Sequence, residues 1–353
     1  MYMDDITGSI IQEISDGEIQ KVIDETLKGG HFNFSDYVGS IINGQSPFSF
    51  EEALKYILDG IYGNIVQEKN IYIYLVVIAV MGALVANFSK LLQGKKVAET
   101  AFYMVYMLFF SVLAVSFTQV CSIATETLVN VSDFLKVFST AYFTCIAFTD
   151  GSIAGSVFYE FTLVMMNVAS YVVVKFALPA IQFYFFLRIA SQISEEDIFS
   201  RLAKLVKDIV STGLKTMFGI IMGANVVQGL VVPVAAEAKN SLVVKMGSAI
   251  PGIGNTVGSV ASTVLSAGKL VKNAVGITGI IVVVFICLVP LTGILISKFM
   301  YQLISAFIQP VSDKRITNCL DAVVESLKMQ LYATGTGCMM FVISIAITSA
   351  MTT

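Results

Sequence analysis

The sequence predicts an all-α, polytopic membrane protein with a small helical domain at its N-terminus. Three observations carry this. Of 353 residues, 56% are hydrophobic and 13% charged, with a mean hydropathy of +0.80, whereas soluble domains carry about 25% charged residues. Apolar runs recur along the chain at the length of about 20 residues that crosses a hydrocarbon core. Charge is also segregated: residues 1–70 hold 12 Asp and Glu against 4 Lys, and the remainder holds 13 against 18 basic residues. An acidic head on a basic membrane body implies that the two face different environments.

The head, residues 1–70, reads as short amphipathic helices. Ile10, Ile11, Ile14, Val22, Ile23 and Leu27 recur at near-helical spacing, and Gly29-Gly30 ends the run. Ser49 with Glu52 forms a capping box, opening a helix with Leu54, Ile57, Leu58, Ile61 and Ile65 on one face. Residues 71–353 form the multi-span membrane domain, with about eight spans by length. These are residues 71–89, 101–123, 134–149, 153–174, 176–193, 209–236, 275–297 and 331–351. The stretch 134–149 is short and reads either as a thin span or as a re-entrant arm.

Between the fifth and sixth spans, Ser194 caps a charged helix. Glu195, Glu196 and Asp197 sit at its start and Lys204 and Lys207 near its end, an order that suits the helix dipole. Gly219-x-x-x-Gly223 has the spacing of close-packed membrane helices. A Pro/Gly-broken segment lies near 247–279, and Phe299–Ile308 reads as an interfacial helix stopped by Pro310. Lys90, Lys95 and Lys96 after the first span place that loop in the cytoplasm and the head outside. Export of such a head calls for a signal sequence, and none is visible from Met1 onward. The loop 237–272 then lies outside, although Lys239, Lys245, Lys269 and Lys272 run against the charge rule.

Little in the chain points to catalysis. The five cysteines make no CxxC spacing, and they read as buried small hydrophobes rather than a metal or redox site. His31, the one histidine, lies in the head, and no Walker-type phosphate loop is present. No enzyme activity, cofactor, metal or nucleic-acid partner is expected.

The stretch Ala249-Ile-Pro-Gly-Ile-Gly-Asn-Thr-Val-Gly-Ser-Val260 resembles the stage III sporulation protein AE family. The likeness continues through Gly268-Lys-Leu-Val-Lys-Asn-Ala-Val-Gly276 and returns at Ile308-Gln-Pro-Val-Ser-Asp-Lys-Arg-Ile-Thr-Asn-Cys-Leu320. The resemblance implies a permease-like protein of the mother-cell membrane that surrounds the forespore. There it would be part of a secretion-like channel, the feeding tube needed for endospore development. It implies as partners the other stage III A-operon proteins, a cytoplasmic ATPase and ring-forming subunits among them, and indirectly stage II sporulation protein Q. It also implies that such proteins begin with a cleavable signal peptide.

Three groups of residues are candidates for function. Pro251, Gly252, Gly254, Asn255 and Gly258 read as a gate or pore-lining break, since non-helical backbone at membrane depth must be buried in protein or line water; the alternative is an extracytoplasmic turn. Glu160, Asn167, Asn225 and Gln228 are polar groups inside spans, which either line a path or bridge helices. Asp313, Lys314 and Arg315 read as a cytoplasmic docking site, or as an ordinary basic flank. The favoured function is a non-enzymatic, lipid-embedded and oligomeric channel subunit; the alternative is an autonomous permease with Glu160 as its coupling carboxylate.

Overall fold

The computed structural model describes residues 17–27, 32–45, 50–91, 95–149, 153–193, 199–247 and 254–350. Among these residues there are nine α-helices, one π turn and no strand. Two short helices, α1 (Glu18–Thr26) and α2 (Phe34–Ile42), come first among the described residues of the head. Asn33 caps α2, its Oδ1 accepting from the backbone N–H groups of Ser35 and Asp36, which satisfies two donors the first turn would leave unpaired. Gln20 of α1 ties the two together by donating to the carbonyl of Phe32 and accepting from the N–H of Phe34.

The body is built from long helices: α3 (Phe50–Leu91), α4 (Lys95–Thr149), α5 (Ile153–Val172), α6 (Leu178–Ile193), α7 (Ser200–Gly247), α8 (Gly254–Ile308) and α9 (Lys314–Ala350). A π turn over Val173–Ala177 joins α5 to α6. Pro179 follows it, where the missing N–H disturbs the regular helical ladder.

Six helical segments among the described residues are long and apolar enough to cross a membrane: Leu54–Val85, Thr100–Phe143, Glu160–Gln192, Ser200–Val231, Ser266–Ile308 and Lys314–Ala350. The sequence reading of about eight spans differs at two joins. Residues 101–123 and 134–149 belong to one helix, α4, because Glu126, Asp133 and Lys136 ride on it without breaking it. Residues 153–174 and 176–193 run on through the π turn. The stripe 299–308 is likewise the end of α8 rather than a separate interfacial helix. The region read as a loop from 237 to 272 is helical at both ends, α7 continuing to Gly247 and α8 starting at Gly254. α3, described from Phe50, continues through the boundary at residue 70, so the last helix of the head and the first span are one element.

Contacts fix the directions of the helices. α8 and α9 are joined by a short turn and run antiparallel, with Ser305 donating to Asp321 at 3.0 Å near the turn. Far from it, a Cβ at Gly276 would fall 2.9 Å from the Cβ of Ser349, so the helices approach there as only glycine allows. α4 runs parallel to α9: Tyr106 meets Cys319 at 2.9 Å, Cys121 donates to Gln330 at 3.4 Å, and Leu128 fills the space beside Gly337. α3 lies against α8, Asn64 beside Gly293 and Tyr56 beside Phe285. The head packs on the far half of this bundle, with Phe34 against Phe138 and Phe32 against Phe285 at ring distances of 6.4 and 6.3 Å.

The interior is filled by large side chains. Phe109, Phe117, Phe134, Phe138, Tyr142 and Tyr301 are all buried. Phe117 stacks on Phe185 at 4.1 Å, and Phe134, Phe138 and Tyr142 stack in succession along α4. Gly219 and Gly223 do not serve helix packing within the chain. Both are exposed, and neither has an atom within 4 Å of where a Cβ would stand.

Candidate functional site

The polar residues of the spans meet where α5, α7 and α9 come together. Asn225 is buried on α7, and its Nδ2 donates to Ser344 Oγ of α9 at 2.7 Å. Ser344 in turn donates to the thioether of Met166 on α5 at 3.4 Å. One turn beyond Asn225, buried Gln228 accepts from Thr162 Oγ1 of α5 at 2.7 Å. The pair therefore ties α7 to two neighbours. In lipid such bonds act as glue between helices, because the alternative is a polar group facing hydrocarbon.

Glu160 sits two residues before Thr162 but on the outer face of the bundle, where it is exposed. Asn167 is also exposed; it accepts from Ser132 of α4 at 3.2 Å and donates back to the carbonyl of Leu163 at 3.0 Å. Asn225 and Gln228 thus share one buried cluster, and Glu160 and Asn167 lie outside it.

Pro251 and Gly252 lie outside the described residues. Gly254, Asn255 and Gly258 belong to the first turns of α8, which is helical without interruption from Gly254 to Ile308. Backbone breakage read across 247–279 is thus absent from 254 onward. At the other end of α8, Asp313 Oδ1 accepts from the N–H of Arg315 at 2.8 Å and caps α9. The Arg315 guanidinium lies 5.8 Å from the ring centres of both Phe102 and Tyr103, pinning the start of α9 to the start of α4. Lys314 alone of the three is exposed.

A family model described as stage III sporulation protein AE matches residues 32–352. The chain belongs to that family. The stage III sporulation protein AE of Bacillus subtilis (strain 168) is 24% identical over 331 residues, covering 92% of this chain and 80% of the relative. No solved structure matches the chain. Membership in the stage III sporulation protein AE family supports a role in sporulation, and the six apolar helices support a membrane location.

The fold of this family member also assembles polar groups that sequence reading passed over. Glu325 of α9 accepts from Lys207 Nζ of α7 at 2.5 Å, lies 4.0 Å from Arg188 of α6, and is hydrogen-bonded by Tyr184. Three helices are joined at this one carboxylate. Gln330, wholly buried, donates to the carbonyl of Val120 at 3.0 Å and accepts from Cys121. Glu68 of α3 holds Tyr72 and accepts from Ser297 of α8 at 3.1 Å, while Tyr301, next to Tyr72, hydrogen-bonds Ser116 of α4. Each partner is more than 100 residues away in sequence except within α3, so no spacing rule links them. Charge on an otherwise apolar helix was the available signal, as at Arg188. Lys272, counted in the basic loop, is instead wholly buried on α8.

Proposed function

We propose that this protein is a non-enzymatic membrane subunit of the channel between mother cell and forespore, embedded in the mother-cell membrane and assembled from several chains. The observation that carries the multi-chain reading is the filled interior. Aromatic side chains occupy the bundle core from Phe109 to Tyr142, and the intramembrane Asn225 and Gln228 spend their hydrogen bonds on neighbouring helices. A conduit then runs between chains, or between this chain and partners, rather than through one bundle. The proposed partners are the other stage III A-operon proteins and, indirectly, stage II sporulation protein Q.

In this reading the acidic head lies outside. Arg188, Lys207 and Arg315 lie in the half of the bundle nearer the α8–α9 turn and the head packs on the other half, in line with the positive-inside rule, while exposed Lys136 and buried Lys272 lie in the half that carries the head. Pro251–Gly258 is the proposed gate, and exposed Lys314 the proposed docking residue for a cytoplasmic partner. All five cysteines are buried, so single cysteines placed at Ser248 and Ser259 report cleanly to a membrane-impermeant thiol reagent. Labelling of both in assembled complexes from sporulating cells is the expected result. Protection of both from either side excludes the gate.

The permease alternative needs an inward carboxylate, and Glu160 faces outward. Uptake by the purified chain alone in liposomes, lost in Glu160→Gln, would favour it over the channel subunit.

A further inference from the structure

A groove of about 1030 Å³ runs along the outside of the bundle between α5 and α7. Its floor includes buried Ala169 and Ile221; its walls are formed by Val164, Val168, Ile209 and Ile220, each more than half exposed. The α5 wall ends at Val172, immediately before the π turn. At one end the lining changes character to Arg201, Lys204 and Asp208. The neighbouring cation, Lys207, is committed to Glu325, whereas Arg201 and Lys204 are exposed at the groove mouth.

We infer that this groove is a phospholipid site: an acyl chain lies along the apolar walls and the headgroup phosphate rests on Arg201 and Lys204. Two arguments choose this occupant. The first is length. From Leu205 to Ile221 the α7 wall extends about 24 Å at about 1.5 Å per residue. One leaflet with its headgroup zone is about 20–22 Å deep, so the wall matches a lipid standing in one leaflet. The second is polarity. A groove that is mainly apolar along its length, with Thr212 and Thr216 the polar residues midway along its α7 wall, and cationic only at one end complements an amphiphile with a terminal anion. Cationic pockets between membrane helices on the cytoplasmic side hold anionic headgroups in this way. Asp208 on the same rim leaves a net positive mouth and selects against a second anion.

Gly213 provides a test that spares the fold. It lines the groove, and no atom lies within 4 Å of where its Cβ would stand, so a large side chain there enters the groove rather than the protein. The full-length chain is reconstituted in nanodiscs of equal phosphatidylglycerol and phosphatidylcholine, re-extracted, delipidated in mild detergent, and weighed by native mass spectrometry.

The expected result is one retained phospholipid per chain, enriched in phosphatidylglycerol. Gly213→Phe lowers retention at least tenfold with an unchanged melting midpoint. Arg201→Gln with Lys204→Gln lowers the preference for phosphatidylglycerol by about fivefold per cation. Undiminished retention in a folded Gly213→Phe overturns the inference. So does a shift from dimer to monomer in that variant at constant lipid count, which makes a second copy the occupant. Should Gly213→Phe fail to fold, an unchanged lipid preference in the double glutamine variant overturns the headgroup assignment.

Discussion

Asn225 and Gln228 are one turn apart on α7, yet they bind different helices, Ser344 of α9 and Thr162 of α5. Each satisfies a group that would otherwise face hydrocarbon. Such bonds are worth about 0.6 kcal/mol on average in membranes and about 1.7 at most, because the unfolded chain in lipid also finds partners. A double-mutant cycle between Asn225→Ala and Ser344→Ala, read by unfolding in mixed micelles, is expected to give a coupling in that range. A coupling near zero would mean that Asn225 faces water instead. Glu325 is a different case. Its side chain is 31% exposed and that of Lys207 44%, so solvent screens the pair and the coupling expected from Lys207→Met with Glu325→Gln is at most about 1 kcal/mol. Its value lies in joining α6, α7 and α9 at a common height.

Among the elements, α8 shows how a helix of 55 residues is held in register. Gly279 faces Phe138, and a Cβ at that position would stand 3.1 Å from Cε1 of the ring and closer still to its tip. Gly279→Leu therefore overpacks the α4–α8 contact, with an expected cost of about 1–3 kcal/mol and partial recovery when combined with Phe138→Ala. Gly219 and Gly223 form the motif that stands out in the sequence, but their faces are open. Gly219→Ala is expected to change stability by no more than about 0.5 kcal/mol in the isolated chain. A larger loss, measured in the same unfolding assay, would show that the face is covered by a second chain. A spacing motif marks where two helices can approach, and it does not mark which glycine has a neighbour.

For the whole molecule, six spans rather than about eight change the side of a single connection. Treating α4 as one span puts residues 150–152 on the side opposite residues 92–94 and 194–198, and on the same side as the C-terminus. With eight spans, residues 150–152 share the side of 92–94. A cysteine at Gly151 is therefore expected to react with an impermeant reagent from the same face as one at Thr353. Reaction from the opposite face would restore two separate spans at 101–123 and 134–149. The helices are also much longer than a bilayer is thick. α4 extends about 82 Å at about 1.5 Å per residue, against a hydrocarbon core of about 30 Å. Part of the bundle must stand outside the lipid, and the head packs on one such half through Phe32 and Phe34.

By itself the sequence determined the class of the protein. Hydropathy and low charge dictate membrane helices whatever their arrangement, because backbone in lipid has to bond internally. The blocks around Pro251 and Asp313 likewise pointed to the family that the chain belongs to. Which stretches are apolar enough to cross a membrane was also legible, as with residues 71–89 inside α3. The joins were not. Whether Glu126 and Asp133 end a span or ride on the side of a longer helix depends on what lies beside them, and only α9 running parallel along α4 decides it. The same holds for the polar residues. Composition placed Asn225, Gln228 and Glu160 in spans alike, but helix rotation turned the first two inward to partners on α5 and α9 and left Glu160 outside. Local sequence sets how apolar a helix is; which face it buries is set by helices 66 to 119 residues away in the chain, as for Gln228 and Asn225.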